Sequence, residues 1–484
     1  MNHTAIIFIA TALFYRTAEL HAVDLQAKKP NIVFVLFDDL GYGQPECYNK
    51  DSALRMPNLN RLATEGMRFT DAHTAAAVCT PTRYGILTGR YPSRIGQFGV
   101  LTTYSKPIIP TSRMTVASLL KHHGYETACI GKWHLGMDWM NDELRDQKVV
   151  PVGEKMTGGP NEVGFDYFLG YTHARNIGSI VEQNAVVAHV EEDENQPRMV
   201  TRAVEWIDSR KKSDKPFFLY FPMCPPHTPI APAPDFIGKS NARDLVKKDP
   251  QYGDWVYQGD TMLGQLLDAL NRNGFADNTL VIATSDNGAA GRAYEPLRAS
   301  KASIYEGGHR VPLIVRWPGK VTPASVNHHT VCLTDFMATT AEIVGAKLSD
   351  DAGEDSVSLL SELFGTAKDP VREATIHQSH DGDLAIRQGT WKLIFLTSGQ
   401  RELYNLETDI SEAKDVLSEN RQVATKLTTL FQTYIDRGRS TIGASQKNGF
   451  SLALPSESND AKGTKNGKAK RNKKVPEAKV SSGK

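Results

Sequence analysis

The chain has 484 residues, of which 40% are hydrophobic and 23% are charged, and this length suits one large α/β domain or two to three smaller ones. The composition excludes collagen-like, disulfide-scaffold and wholly disordered proteins. Lysine and arginine number 56 against 55 aspartates and glutamates, so the net charge of +1 provides no global field that would recruit nucleic acid or an anionic membrane.

Residues 1–22 are predicted to be a secretory signal peptide. An apolar run at residues 5–15 is followed by Ala22, a small residue at a suitable cleavage point. The run is much shorter than the roughly 20 residues that cross a bilayer, and no other stretch is long and apolar enough, so no membrane span is expected. The alternative is a buried N-terminal strand or helix, which the Lys-Lys-Pro sequence at 28–30 disfavours. We therefore expect a secreted or periplasmic protein.

The chain contains five cysteines: Cys47, Cys79, Cys129, Cys224 and Cys332. Their spacings match no zinc-binding pattern. An odd number of cysteines in an exported protein leaves at least one thiol unpaired or chemically used.

From residue 31 the chain alternates apolar, β-branched runs with helical patterns. The run at 31–37 is almost continuously apolar, which is typical of a strand buried on both faces. The predicted strands are 31–37, 126–130, 216–221, 279–284 and 311–317, and the predicted helices are 56–66, 116–124, 199–210, 252–272 and 334–345. This alternation predicts an α/β fold with a large, mainly parallel sheet between layers of helices. We assign this catalytic domain to residues 28–370.

The pattern changes after residue 370. Four short strands, at 373–376, 383–387, 392–396 and 402–405, precede a helix at 423–437. Residues 371–440 are therefore predicted to form a small antiparallel α+β subdomain. Residues 441–484 are rich in lysine, glycine, serine and asparagine, and we expect a disordered tail because such a sequence buries little apolar surface.

Polar side chains follow four of the predicted strands. They are Asp38 and Asp39, Lys132 and His134, His227, and Asp286 with Asn287. Ligands of open parallel sheets bind beyond the carboxyl ends of the strands, so these groups are expected to meet at one edge. The oxygen donors Asp38, Asp39, Asp286 and Asn287 favour Ca²⁺, with Mg²⁺ as the alternative, and three crowded carboxylates need a cation to offset their repulsion.

A second candidate feature is Cys79, in the sequence C-T-P-T-R. Pro81 suits the first turn of a helix, which places Cys79 at the helix N-terminus, where the free N–H groups favour an anion. Arg83, one turn further on, can steady a group built on Cys79 or hold an oxyanion. A cysteine at such a position is otherwise a small buried residue.

Together these sequences resemble the type I, formylglycine-dependent sulfatases of the alkaline phosphatase superfamily, which include the arylsulfatases. C-T-P-T-R resembles the family's C-x-P-S-R modification motif, with Thr82 in place of the usual serine. The sequence G-Y-E-T-A-C-I-G-K-W-H at 124–134 resembles its second signature. The opening P-N-I-V-F-V-L-F-D-D-L-G-Y-G, the later S-D-N-G and the sequence K-A-S-I-Y-E-G-G at 301–308 also match. The resemblance extends from about residue 30 to residue 437.

The resemblance implies that Cys79 is oxidised by a maturation enzyme to formylglycine, whose hydrated aldehyde attacks the sulfur of a sulfate ester. The metal ligands would be Asp38, Asp39, Asp286, Asn287 and the modified Cys79. Arg83 would stabilise the hydrated aldehyde, and Lys132 and Lys301 would hold the sulfate. His134 would remove a proton during sulfate release, and His227 with Lys301 would protonate the leaving oxygen.

The expected substrate is a sulfated carbohydrate, either small or polymeric, or an aryl sulfate. One alternative is a phosphatase or phosphodiesterase of the same superfamily, although those enzymes usually carry serine or threonine as nucleophile and two metal ions. The other alternative is a non-catalytic sulfoglycan-binding protein in which Cys79 stays unmodified. Thr172 could lie near the sulfate, and His173 and Arg175 could meet the rest of the substrate.

Overall fold

The computed structural model describes residues 29–141, 143, 149–242 and 251–455. The predicted signal peptide and residues 456–484 of the predicted tail lie outside this part of the chain. None of the described helices is long and apolar enough to cross a membrane.

The strands and helices alternate along the first three quarters of the chain. The strands are β1 (Asn31–Asp38), β2 (Met67–Phe69), β3 (Ala72–His73), β4 (Glu126–Lys132), β5 (Asp138–Trp139), β6 (Met156–Thr157), β7 (Tyr167–Tyr171), β8 (Ser179–Glu182), β9 (Ala185–His189), β10 (Phe217–Pro226), β11 (Thr279–Ser285), β12 (Leu313–Arg316), β13 (Ser325–Asn327), β14 (Val331–Cys332), β15 (Thr375–Gln378), β16 (Leu384–Gln388), β17 (Trp391–Phe395) and β18 (Arg401–Asn405). The helices are α1 (Pro57–Glu65), α2 (Cys79–Thr88), α3 (Val116–His122), α4 (Glu192–Ser209), α5 (Tyr252–Arg272), α6 (Glu306–His309), α7 (Phe336–Ile343), α8 (Leu360–Leu363) and α9 (Arg421–Asp436).

Ten strands form the main sheet, in the order β13-β2-β12-β11-β1-β10-β4-β7-β8-β9. The five central strands, β11-β1-β10-β4-β7, are parallel, and antiparallel pairs extend the sheet beyond both β11 and β7. Adjacent parallel strands place their carboxyl ends at one edge, so this topology gathers the polar residues that follow them. The predicted large, mainly parallel α/β sheet is confirmed.

Helices cover both faces of this sheet because β1 is apolar on both sides. Ile32, Phe34 and Leu36 belong to one buried cluster, which also contains residues of α2, α3 and α7. Val33, Val35 and Phe37 belong to a second cluster on the opposite face, with residues of α1, α4 and α5. Successive side chains of a strand point to opposite faces, which explains this division.

One predicted helix begins earlier than expected. The apolar pattern indicated a start at residue 199, whereas α4 begins at Glu192. Glu191 and Glu194 form a reciprocal capping box there, and the first turn is acidic, which satisfies and complements the free N–H groups of the helix start.

The C-terminal unit is a four-stranded antiparallel sheet, β15-β16-β17-β18, against which α9 packs. The predicted order of four strands and one helix is confirmed. The predicted tail differs in part, because residues 441–455 pack on the rest of the protein. The carbonyl of Lys447 accepts a hydrogen bond from Arg90, Asn448 accepts one from Arg94, and the ring of Phe450 lies 6.4 Å from that of Phe98. Composition alone did not reveal these long-range partners.

Candidate active site

Four adjacent parallel strands end at one site. Asp38 is the last residue of β1, and Lys132 is the last residue of β4. Asp286 and Asn287 follow β11, and His227 follows β10. The structure therefore brings together the strand-end groups that the sequence singled out.

Cys79 joins this group from α2, of which it is the first residue. Its Sγ lies 3.4 Å from Oδ1 of Asp38 and 3.3 Å from Nζ of Lys301, although these residues are far apart in sequence. Burial, reinforced by the carboxylates of Asp286 and Asp38, raises the pKa of the thiol. The unmodified side chain is thus a neutral thiol at physiological pH and a poor nucleophile.

Buried cations compensate the carboxylates. Nζ of Lys132 lies 2.5 Å from Asp38, and Nζ of Lys301 donates to Asp39. Arg83 donates to Asp286 through two nitrogens, at 2.7 and 3.1 Å. The third nitrogen of Arg83 bonds to the carbonyl of Lys132 at 3.1 Å, so the arginine also fixes the end of β4.

The two central carboxyl groups differ in their ionisation. Burial opposes the charge of Asp38, but Lys132, His227 and other cations hold its pKa well below the usual range. Burial and the neighbouring charge of Asp38 instead raise the pKa of Asp286 to about 6. This difference is typical of carboxylates crowded into one site, which a bound cation would relieve.

The donor set fits a hard divalent cation. Of the predicted ligands, Asp38, Asp39 and Cys79 have ligand atoms within 4.8 Å of one another, in a group that also includes His227. Asp286 adjoins this group through its Oδ1, which accepts from the N–H of Asp39 at 3.1 Å. Oδ1 of Asn287 is buried and has no hydrogen-bond partner among the described residues, while its Nδ2 donates to Asp39 at 2.7 Å. An oxygen left without a donor beside three carboxylates is an available ligand for Ca²⁺ or Mg²⁺.

The two candidate histidines lie at the same site. His134 has its Nε2 3.0 Å from the carbonyl of Leu101, and its Nδ1 is buried without a partner in the described chain. Burial and the charges of Lys132 and Arg83 lower the pKa of His134 well below the usual value, so it is a neutral base with a free lone pair. His227 has its Nε2 3.7 Å from Asp39.

Comparison with known proteins identifies the family. The sulfatase family model matches residues 30–346, well over half of the chain, and the model of the N-sulphoglucosamine sulphohydrolase C-terminal region matches residues 299–437. The chain belongs to the sulfatase family. This sulfatase is a sulfuric ester hydrolase with the alkaline phosphatase-like fold that its sequence motifs implied.

Named relatives of this sulfatase cover most of its length. It is 33% identical to arylsulfatase A of Homo sapiens over 410 residues, which are 77% of this chain and 76% of the relative. It is 28% identical over 494 residues to the N-acetylgalactosamine-6-O-sulfatase of Bacteroides thetaiotaomicron, covering 84% and 93% of the two chains. The structure of Ps i-CgsB in complex with k-i-k-neocarrahexaose aligns with a TM-score of 0.75 at 27% identity, covering 87% of this chain and 95% of that one.

Sequence reasoning missed several groups that shape this site. The hydroxyl of Thr80 donates to the carbonyl of His134 and accepts from the N–H of Leu101, which fastens the 99–103 segment over the site. Thr103 in turn bonds to Nε2 of His173 at 2.8 Å. Thr80 occupies the variable position of the C-x-P-S-R motif, so the motif gives no sign of its importance, and nothing in the sequence pairs it with residue 101.

The departure from the modification motif is accommodated in the fold. Oγ1 of Thr82 donates to the carbonyl of Ala76 at 2.9 Å, and the side chain is buried. The hydroxyl shared by serine and threonine is the group that makes this bond.

Proposed function

We propose that this sulfatase hydrolyses sulfate esters with a formylglycine made from Cys79 and a divalent cation, Ca²⁺ with Mg²⁺ as the alternative. The observation that supports this most directly is the position of Cys79. Its sulfur lies between Asp38 and Lys301, at the edge of the sheet where the candidate cation ligands meet. A residue placed there can carry a nucleophile that a cation and a lysine both contact.

The cation would neutralise the crowded carboxylates and draw electron density from the sulfate oxygens. Asp38, Asp39, Asp286 and Asn287 would hold it, together with the modified residue 79. The hydrated aldehyde would supply two hydroxyls, the first to attack the sulfur of the ester and the second to allow release of sulfate.

The residues of the chain move the protons of these two stages. Lys132 and Lys301 exchange their carboxylate partners for the oxygens of the sulfate, which places positive charge where negative charge develops. His227, assisted by Lys301, protonates the ester oxygen as its bond to sulfur breaks. The proton that the attacking hydroxyl releases balances the one given to the ester oxygen. His134 would accept the proton of the second hydroxyl on its free Nδ1, so that sulfate leaves and the aldehyde forms. Addition of water would then restore the hydrate, while His134 returns its proton to solvent and His227 regains one.

The proposed substrate is a sulfated carbohydrate, with aryl sulfates as simpler alternatives. Two of the relatives support a carbohydrate, because one is named as an N-acetylgalactosamine-6-O-sulfatase and another was solved with k-i-k-neocarrahexaose. We also propose that the protein is secreted or periplasmic, from its apolar N-terminal run.

Mass spectrometry of the peptide that contains Cys79 tests the modification. After co-expression with a formylglycine-generating enzyme, the peptide should lose one sulfur and two hydrogens and gain one oxygen. The matured protein should hydrolyse sulfate esters faster than the matching phosphate esters. A Cys79→Ala variant with full turnover would refute the mechanism, and Cys129→Ala, at a buried cysteine outside the proposed ligand set, is the matched control.

A further inference from the structure

The turn between β15 and β16 lies beside the segment that leads into Cys79. Ala76 and Gln378 form a parallel bridge, and backbone hydrogen bonds run from Ala77 to Gln378 and from Gln378 to Ala75. Because the two segments run in parallel, residue 380 is level with residue 78, one position before Cys79. The C-terminal subdomain thus delivers this turn to the start of α2.

A second set of backbone bonds fixes the turn beside Lys301. The N–H of Ala302 donates to the carbonyl of Ala77 at 2.8 Å, and the N–H of His380 donates to the carbonyl of Ala302 at 3.0 Å. Lys301 itself reaches the sulfur of Cys79. His380 is therefore held one residue away from a side chain that contacts the reacting group.

Two side chains of this turn face solvent. The side chains of His380 and Asp381 are 44% and 85% exposed, and Nδ1 of the histidine lies 2.9 Å from Oδ1 of the aspartate. A Cβ built on Gly99 would lie 3.7 Å from Nε2 of His380, so this nitrogen lies next to the start of the 99–103 segment. Nε2 has no hydrogen-bond partner among the described residues.

We propose that His380 and Asp381 bind hydroxyl groups of the sugar ring that carries the scissile sulfate, and that Asp381 disfavours a second anionic group on that ring. This inference rests on the proposed function. A carboxylate paired with an imidazole offers both acceptors and a donor, which suits vicinal hydroxyls. The same carboxylate repels a neighbouring sulfate or uronate. The preferred ring is therefore neutral apart from its single sulfate.

The test compares binding of the whole substrate with binding of the sulfate alone. Matured wild-type protein is assayed on mono-sulfated hexoses and hexosamines, including N-acetylgalactosamine 6-sulfate, and inorganic sulfate is used as a product inhibitor. In His380→Ala and Asp381→Ala, the ratio of the sugar KM to the sulfate Ki should rise about tenfold, the usual effect of losing a hydrogen bond or two. The change should arise in KM rather than in kcat.

A charge test separates recognition from a structural role. Asp381→Asn should raise the relative kcat/KM for a hexosamine with two sulfates over the mono-sulfated sugar by about fivefold at low salt, which is the scale of one exposed charge interaction. Asp369→Asn, at an exposed bend just before the C-terminal subdomain, is the matched control and should leave this preference as in the wild type.

Two outcomes would overturn the proposal. One is an unchanged ratio of KM to Ki in the alanine variants. The other is hydrolysis of 4-nitrophenyl sulfate by a protein that neither turns over nor binds any sulfated sugar, in which case the proposed function stands without the sugar site. Failure of the matured protein on every sulfate ester would instead refute the proposed function itself.

Discussion

Replacement of Lys392 by methionine should cost several kilocalories of stability, because this lysine lies in a dry charge cluster between the two units of the fold. Its Nζ lies 2.7 Å from Glu412, 3.1 Å from Glu306 and 3.0 Å from Nε2 of His309, and all four side chains have no exposed surface. Methionine fills similar volume without the charge. The two carboxylates then remain buried without their shared cation.

The expected loss is about 3–5 kcal/mol, the usual cost of removing one partner from a buried ion pair. Burial works against the charge of Glu306, and Lys392 is the first of the cations that hold its pKa well below the usual value. Without the lysine, the pKa of Glu306 rises, and the pKa of Glu412, which burial already raises, rises further. The deficit of the variant should therefore be smaller at pH 5 than at pH 8, because folding then favours the protonated acid.

Urea unfolding of the wild type, Lys392→Met and the double variant Lys392→Met/Glu412→Gln would measure these differences. The double variant should recover part of the lost stability, since it removes one of the two carboxylates that are left buried without a cation. Lys414→Met removes an exposed lysine 3.9 Å from Glu419 and should produce no measurable change. A loss below about 1 kcal/mol in Lys392→Met would refute the assignment of this cluster as a dry, tightly paired one.

Three further predictions concern the metal, the pH dependence and the backbone. Treatment with EDTA should abolish sulfate ester turnover and lower the unfolding temperature, and Ca²⁺ or Mg²⁺ should restore both, because the proposed ligands are mainly oxygens. Burial and nearby positive charges lower the pKa of His173 to about 4. The unfolded chain therefore takes up this proton near pH 6.5 and the folded protein only near pH 4, so about 3 kcal/mol of stability should be lost between these values in the wild type and kept in His173→Gln. Gly131 has a φ of 132°, and a Cβ there would lie 2.1 Å from the carbonyl oxygen of Pro222, so Gly131→Ala should destabilise by more than about 3 kcal/mol. Gly274→Ala, at another positive φ but with open space around it, should cost about 1 kcal/mol. Urea unfolding would measure both glycine variants.

The sequence was sufficient for the sheet and its polar edge because both depend on local patterns. Residues 31–37 are apolar at every position but the first, and the two aspartates that follow must lie where the strand ends. The same rule located Lys132, Asp286 and Asn287 before any contact was known. Only the motifs of the family, however, connected Cys79 and Lys301 to that edge.

Features that depend on contacts between distant segments could not be predicted from the sequence. The bridge between Ala76 and Gln378 joins residues about three hundred positions apart, and nothing in either segment specifies the other. The same holds for Lys392 and Glu306, whose pairing is visible only after the subdomain has docked. The sequence therefore described the composition of the C-terminal unit but not its contribution to the active site.

The charges of the site explain why one divalent cation suits a sulfate ester. Three carboxylates, Asp38, Asp39 and Asp286, lie beside three permanent cations, Arg83, Lys132 and Lys301, so these buried groups nearly cancel. A sulfate monoester brings a single negative charge, and one divalent cation leaves a positive excess to stabilise the additional charge on the leaving oxygen. A phosphate monoester dianion would consume that excess completely. We therefore expect the preference for sulfate over phosphate to diminish when a substitution introduces a further lysine or arginine near the site. The preference should increase when Lys132 or Lys301 is replaced by a neutral residue, even though the absolute rates fall.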